Sequence, residues 1–428
     1  MAEISAFYGV RYNPEVVKDL ASVVCPPYDV ISKDDQKAYY DKSEYNIIRL
    51  EYGMELPDDS TSDNKHVRAS ATFDRWLKEG ILITDQVPSI YIHEHIFTYQ
   101  NTRRRRLGFT ACVRLEPWER KTVLPHENTV SGIKSDRLDL MRACAANFSP
   151  LLGLYEDPGQ KIVRLLTAQT SRKPVAEFTV DGETHKLWVA NEPEFIQRIS
   201  HFLTPKPIYI ADGHHRYETA LAYQTERLQS MSFVSGHEAF NFVMMTLVSF
   251  SDPGLMVLPV HRLVKGISDD DMKRFVEELH TLFHLEPAPL EDTAGIPDMR
   301  GVIARVIGLK GGHVVGLRPQ PGIHLKTAMP EGRSDAYKKL EVSILHHLVI
   351  DKLAAINKNI TVAYTPNTEA AMKMVKTGDY QLAFILNPIP LSAIKSVADA
   401  SDRMPGKSTY FYPKLPTGLV VNRLEGAL

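Results

Sequence analysis

Apolar positions along this chain recur at two spacings, near 3.6 and near 2, and their interleaving predicts a mixed α/β (α+β) fold. Ser32 is placed to cap a helix over 33–40, with Asp34 and Asp35 in its first turn. Positions 45–52 alternate and predict a strand, and the polar, proline-punctuated 57–63 predicts a loop. Ala69, Phe73, Trp76 and Leu77 fall on one face of a helix over 66–79 that stops at Gly80. Two runs, 89–98 and 107–115, flank Tyr99-Gln100-Asn101-Thr102 and four arginines, Arg103 to Arg106, which predicts a hairpin with a basic tip. A helix is expected over 136–144, with Ser149-Pro150 as a break after it.

Short strands are expected at 151–154, 176–180 and 185–189, the last two joined by the turn signal Asp181-Gly182. A helix over 194–202 precedes a short apolar strand at 208–210. That strand runs straight into Ala211-Asp212-Gly213-His214-His215-Arg216, and helix formers fill 217–228. Beyond lie buried strands at 240–250 and 255–260, split by Asp252-Pro253-Gly254, and an amphipathic helix over 269–283. A hairpin over 302–317 turns at Gly311-Gly312, and one long helix spans 335–356. Strands and helices then alternate up to Tyr410-Phe411-Tyr412. Breaks near Thr204-Pro205 and near Pro319 to Gly322 divide the chain into regions 1–204, 205–320 and 321–428.

Composition narrows the class. With 428 residues, 43% hydrophobic and 24% charged, the chain can build sizeable cores without disulfides or metals. A net charge of -2 argues against a dedicated nucleic-acid binder. Cys25, Cys112 and Cys144 are far apart and show no paired spacing, which fits a reducing compartment. Met1 to Val10 has no secretory pattern, and no apolar run reaches the roughly 20 residues a membrane span needs. A cytoplasmic location without membrane contact is expected.

The strongest chemical signal is Asp212 to Arg216. Glycine after a strand allows a sharp turn and close ligand approach, and the following helix aims its positive end at that ligand. Arg216 can fork onto phosphate oxygens, His214 and His215 add donors, and Asp212 adds a carboxylate for a proton or a metal. A surface turn with an arginine ion pair is the plain alternative. In Pro125-His126-Glu127-Asn128-Thr129, Glu127 could serve as base or Mg2+ ligand, with Lys134 and Arg137 downstream to contact anions; a capped, solvated helix start is the alternative. The prolines of Cys25-Pro26-Pro27-Tyr28-Asp29-Val30 would stiffen a loop presenting Tyr28 and Asp29. Pro405-Gly406-Lys407-Ser408-Thr409 lacks the first glycine and the helix of a Walker loop. Pro259-Val260-His261-Arg262 reads as a strand exit. His93 and His95 share a strand face that permits a metal, without an evident third ligand. The arginine run reads as a solvated tip.

Cys25 to Val30, His126-Glu127-Asn128-Thr129, Asn147-Phe148-Ser149-Pro150, Gly213-His214-His215-Arg216-Tyr217 and Lys407 to Pro413 together resemble, in order and over nearly the whole chain, a bacterial and archaeal domain-of-unknown-function family, "ten-fifteen". The Asp212–Arg216 loop is also similar to that of the ParB/sulfiredoxin superfamily, which includes ParB, sulfiredoxin and free-serine kinases. This resemblance implies a ParB/sulfiredoxin-like nucleotide-binding core with additional α/β domains. It implies that Gly213, His214, His215 and Arg216 hold nucleotide phosphates and that Asp212 acts in catalysis. Glu127, with His126 beside it, is the choice for the upstream catalytic acid. Sulfiredoxin's cysteine position is histidine here, and no recognition helix follows the loop, so neither sulfiredoxin chemistry nor DNA partitioning is expected. The expected activity is nucleotide-dependent phosphoryl transfer, with ATP or ADP and Mg2+, to or from a small hydroxylated metabolite, free serine first. Lys134, Arg137, Tyr28 and Asp29 would bind that substrate. The rival readings are a non-catalytic nucleotide-binding regulator, a phosphatase, and a nucleic-acid binder acting through Arg103 to Arg106.

Overall fold

Continuous apolar runs become central strands, and amphipathic helices cover them. The structure is a computed structural model that describes residues 2–129, 131–289, 301–310, 313–323 and 325–428. It forms two compact units. The first comprises Met1–Pro125, Thr129–Met256 and Pro413–Leu428; the second comprises His126–Asn128 and Val257–Tyr412. These are not the contiguous regions 1–204, 205–320 and 321–428. The chain leaves the first unit at Met256 and returns to it at Pro413, so neighbours in space are distant in sequence.

The first unit carries a nine-stranded mixed sheet. In spatial order its strands are Val123–Leu124, Ile208–Asp212, Leu151–Tyr155, Phe242–Ser249, Thr102–Arg114, Ile90–Tyr99, Glu183–Ala190 and Ala176–Val180, with Ile4–Ser5 on Thr102–Arg114. Phe242–Ser249 is buried along its whole length, as its unbroken apolar run requires of a strand covered on both faces. It pairs parallel with Leu151–Tyr155 and antiparallel with Thr102–Arg114. Ile162 and Leu166, Ile199 and Leu203, and Tyr217 and Tyr223 bring three helices into one core with Phe109, Ile210 and Met245. A second core gathers Phe73 and Trp76 of the helix Lys65–Lys78 with Ile47, Leu50, Cys144 and Phe148.

Two expectations in this unit fail for identifiable reasons. Positions 45–52 hold a short helix, Ile48–Glu51, instead of a strand. Asn46 is buried, accepts from the Ile48 amide at 3.0 Å and donates to the Ser22 carbonyl at 2.8 Å. An asparagine that takes backbone partners in this way starts a turn. The arginines are not a hairpin tip either. The tip is Gln100–Asn101, both at positive φ, and Arg103 to Arg106 lie within the strand. Arg104 reaches the Pro253 carbonyl, Arg105 pairs with Glu94, and Arg106 is buried. Arg103 and Arg105 stay exposed, but the run is split between solvent, an ion pair and the interior rather than presented as one tip.

The second unit has a six-stranded antiparallel sheet in the order Phe283–Pro287, His313–Pro319, Ala304–Lys310, Leu382–Ile385, His261–Lys265, Thr361–Thr365. The hairpin expected over 302–317 is the Ala304–Lys310 and His313–Pro319 pair; its turn, Gly311-Gly312, lies outside the described residues. The helix expected over 335–356 is interrupted. Asp335–Lys338 ends where Leu340 turns extended and buries its side chain, and Glu341–Leu345 then continues through a π-turn, His346–Ile350, into Asp351–Ile356. Among the described residues, no helix is long and apolar enough to cross a membrane.

Candidate functional site

The strand Ile208–Asp212 and the helix His214–Gln229 meet at a single residue, Gly213. Its φ of +95° is one that L side chains rarely adopt, and an added Cβ would lie 2.9 Å from Leu151 Cγ and 3.1 Å from Arg216 Nε. Both conditions demand glycine here. Gly213→Ala is expected to lower unfolding stability by about 1–3 kcal/mol and to displace Arg216. A thermal melt beside a nucleotide-binding titration checks this, and an unchanged midpoint with unchanged binding would refute the strain.

No side chain caps this helix start, so its positive end is left to other partners. Arg216, in the first turn, folds back: Nη1 donates to the Pro150 carbonyl at 2.7 Å and Nη2 to Asp212 Oδ2 at 2.8 Å. Its Nε is buried without a hydrogen-bond partner. Lys414 donates to the other oxygen, Asp212 Oδ1, at 2.6 Å. Burial pushes the Asp212 carboxyl up, but Lys414 and Arg216 outweigh it and hold the group well below the ordinary carboxylate range. A carboxylate fixed as an anion between two cations is a weak proton acceptor. That counts against Asp212 as the general base.

The acid suited to exchanging a proton is Glu51, which the sequence reading missed. Glu51 is 3% exposed, accepts from Ser149 Oγ at 2.8 Å and has Arg137 Nη1 at 3.9 Å. Burial raises its pKa, and Arg137 and Arg216 only partly oppose the rise. Glu51, Arg137, Ser149, Arg216 and Thr219 line a small open cleft walled by Leu140, Met141 and Phe148. Arg137 is held by the Glu51 backbone carbonyl at 2.6 Å and by Asp136, and its guanidinium lies 4.3 Å over the Tyr28 ring. Asp29 is exposed, yet close enough for Arg216 and Glu51 to feel its charge.

The structure therefore gathers Asp212, Gly213, Arg216, Arg137, Tyr28 and Asp29 in the first unit, and adds Glu51, Ser149 and Lys414. His214 is buried and also acts on the Asp212 charge; His215 is half-buried on the same helix. Lys134 lies in the helix Ser131–Cys144, but its side chain is outside the described residues. His126 and Glu127 belong to the second unit, and there Glu127 has another task. Its carboxylate accepts from the amides of Lys407, Ser408 and Thr409 at 2.8, 3.1 and 3.2 Å, and from Thr409 Oγ1 at 3.1 Å. It fills the nest of amides that the Gly-Lys-Ser sequence resembles, and that occupation leaves it poorly placed to act as a base. His126 bonds Thr409 Oγ1 at 2.9 Å. His261 is buried between Thr368 and the Leu386 amide, a packing role. Cys25 is buried and its thiol is pushed well up by burial, so it offers no thiolate.

Asp212 or Glu127 could, from the sequence, serve either as base or as a Mg2+ ligand. Asp212 already sits between two cations, Lys414 and Arg216, which disfavours a third positive charge there, and Glu127 belongs to the second unit, so neither unit holds the two together as one magnesium site.

Residues 4–380 match the family described as protein of unknown function (DUF1015). The chain belongs to that family. No curated protein matches the sequence. Solved structures similar to this DUF1015 chain include a conserved hypothetical protein from Pyrococcus furiosus, at 14% identity over 71% of this chain and 92% of that one, with a TM-score of 0.38. A free serine kinase in complex with AMP is similar at 13% identity over 70% and 89%, with a TM-score of 0.36. SbnI with a C-terminal truncation, from Staphylococcus aureus, is similar at 11% identity over 74% and 87%, with a TM-score of 0.36.

The histidines of this DUF1015 chain's sheet also find partners. His93, His95 and His185 stack on adjacent strands, with Glu183 beside them, so the third ligand missing from the sequence is present. Protonation decides against a metal. Arg106 Nη2, which can only donate, bonds His95 Nδ1 at 3.1 Å, so His95 Nε2 carries the hydrogen and donates it to Glu183 at 2.7 Å. The lone pair a metal would take is occupied. Burial and Arg106 hold His95 far below the ordinary histidine range and His185 at about 4, so the stack is a neutral, packed core feature.

Proposed function

We propose that this chain is a nucleotide-dependent phosphotransferase acting on a small hydroxylated metabolite, with ATP or ADP as the phosphoryl partner. One observation carries the reading: Arg216 is folded under the Gly213 turn with a buried, unpartnered Nε at an uncapped helix start. Such a place is made for an anion, because a charged donor and the helix dipole act together away from water. Gly213, His214, His215 and Arg216 bind the phosphates. Lys414 and Arg137 add positive charge around the transferred group, the electrostatic stabilisation that phosphoryl transfer chiefly needs. Asp212 keeps Arg216 and Lys414 aligned. Glu51 takes the proton from the substrate hydroxyl, a role supported by its burial, which raises its pKa and makes the ionised carboxylate a stronger proton acceptor.

The cleft beside Glu51 is shallow and open, and Arg137, Ser149 and Arg216 on its wall are polar groups that can orient a small hydroxylated molecule at its mouth. The loop's resemblance to free-serine kinases makes free serine the first substrate to try, with Arg137, Tyr28 and Asp29 around it. Mg2+ would arrive on the nucleotide.

The test is labelled ATP or ADP with Mg2+, offering serine and phosphoserine in turn. Product that forms with the intact chain and is lost in Arg216→Ala supports the assignment. Nucleotide binding without product from either would favour a regulatory nucleotide-binding protein. Inorganic phosphate released from phosphoserine without nucleotide would favour a phosphatase. Absence of nucleotide binding would refute the phosphate site.

A further inference from the structure

Within the second unit, the helix Glu341–Leu345 does not run directly into Asp351–Ile356; a π-turn, His346–Ile350, intervenes. A π-turn widens the helix by one residue and is often kept where a helix serves a ligand. Here the widening brings two consecutive histidines onto one carboxylate. His347 Nδ1 lies 2.9 Å from Asp351 Oδ2, and His346 Nε2 lies 3.8 Å from Asp351 Oδ1. In a regular helix, side chains at i and i+1 diverge. We infer that His346, His347 and Asp351 form a binding site for one divalent transition-metal ion of the Zn2+ type, independent of the proposed phosphoryl-transfer site.

The ligand atoms of the three residues all lie within 4.8 Å of one another. Tetrahedral bonds to Zn2+ of roughly 2.1 Å would set them about 3.4 Å apart. Asp351 and His346 are 51% and 40% exposed in their side chains, free to draw in by rotation. Two imidazole nitrogens and one carboxylate oxygen suit Zn2+ and neighbouring divalent ions, and three protein ligands leave a position for water or an exchangeable ligand.

Hydrogen bonding favours this cluster where it ruled out the one around His95. His347 Nε2 lies 2.8 Å from Tyr337 Oη, a hydroxyl that can accept as well as donate. The Asp351 carboxylate only accepts, so in the metal-free chain Nδ1–H donates to it; a metal displaces that proton, Nε2–H then goes to Tyr337, and Nδ1 and the Asp351 oxygen both turn to the ion. Tyr337 is 1% exposed, so it is a fixed partner that orients the ring, as buried second partners of metal-bound histidines do. Its own position is set by the helix cap Ser334, whose hydroxyl accepts from the Tyr337 amide at 3.1 Å. The nearby Arg333 is paired with Asp402 at 2.8 Å, which offsets its charge.

Zn2+ binding to the whole chain, measured by equilibrium dialysis after chelation, is expected to give one ion per chain. Co2+ in its place should show the visible absorption of a low-symmetry site with nitrogen and oxygen ligands. Asp351→Ala and His346→Ala, both at exposed positions, should each weaken binding at least about tenfold, and Tyr337→Phe about tenfold through the ring orientation alone. His185→Gln should leave binding unchanged. No stoichiometric Zn2+ binding, undiminished binding in the double variant His346→Ala/Asp351→Ala, or loss confined to His185→Gln would each overturn the site. None of these outcomes bears on nucleotide binding, so the two assignments stand or fall separately.

Discussion

Arg216→Ala is expected to remove nucleotide binding while the chain remains folded. The side chain makes two hydrogen bonds, to Pro150 O and Asp212 Oδ2, and keeps Nε in reserve. Truncation leaves one backbone carbonyl without its donor, a cost of about 1–3 kcal/mol, against a stability of roughly 5–15 kcal/mol for an ordinary domain. Asp212 keeps Lys414 and so is not stranded as an unpaired charge. The ligand loses more. A charge-assisted hydrogen bond contributes about 1.5–3 kcal/mol, so losing the one from Nε weakens binding by about 10–10²-fold, and loss of the positive charge beside the phosphates weakens it further. Arg216→Lys should not restore it, because an ammonium cannot keep Pro150 and Asp212 while also turning a donor toward a phosphate. Calorimetric titration with ATP and ADP, beside circular dichroism of each variant, reads both quantities. Retained affinity in a folded Arg216→Ala protein would show that Arg216 is a structural tie. Asp212→Ala should weaken binding too, by releasing Arg216 and Lys414 from their shared carboxylate, and Asp212→Asn should do so less.

Much of this arrangement is legible in the sequence, and the rest is hidden for physical reasons. The strand, glycine and helix around Gly213 follow from local pattern, because an apolar strand, a positive-φ position and a run of helix formers are all short-range signals. The same holds for the Ser32 cap, whose hydroxyl accepts from the Asp35 amide; the return bond from the Ser32 amide to the Asp35 carboxylate goes beyond the sequence reading. The five motifs of the family resemblance also point beyond themselves. Tyr28 comes from the first, Ser149 and Pro150 from the third, Arg216 from the fourth, and Lys414 directly follows the fifth; all of these meet in the first unit. What the sequence hides is partnership across distance. Glu51 sits in a stretch whose alternation reads as a strand, until Asn46 diverts it into a helix and burial brings Ser149 and Arg137 beside it. Glu127 looks like a base next to a histidine, but its partners are backbone amides some 280 residues away, which no local pattern reports. The arginine run misleads in the opposite sense. Its charge suggests a solvated tip, while cross-strand pairing places Arg106 opposite His95 and buries it.

Glu51→Gln is expected to cost about 10²–10⁴-fold in turnover with little loss of nucleotide affinity, and to change how stability depends on pH. Burial raises the Glu51 pKa in the folded chain above its unfolded value near 4.3. A carboxyl displaced upward favours the fold fully below the unfolded pKa, and that contribution is lost as pH rises through the folded pKa, because the folded chain binds the proton more tightly. Each tenfold of that bias is worth about 1.4 kcal/mol. Glutamine keeps the shape and the Ser149 contact but cannot ionise. The variant should therefore lack this loss, and the difference in melting midpoint between variant and parent should move in the variant's favour as pH rises from 4 toward 8. Activity should respond in the opposite sense. A base must be ionised to accept a proton, so kcat/KM of the parent should climb through the same folded pKa that weakens the fold, and Glu51→Gln should flatten that limb. Agreement between the midpoint of the stability change and that of the activity limb would tie both to this carboxyl. If Glu51→Gln melts in parallel with the parent at every pH and keeps its turnover, the proton leaves by another route and Glu51 is only a packed acid. If stability responds but turnover does not, the burial is real and the catalytic role is wrong.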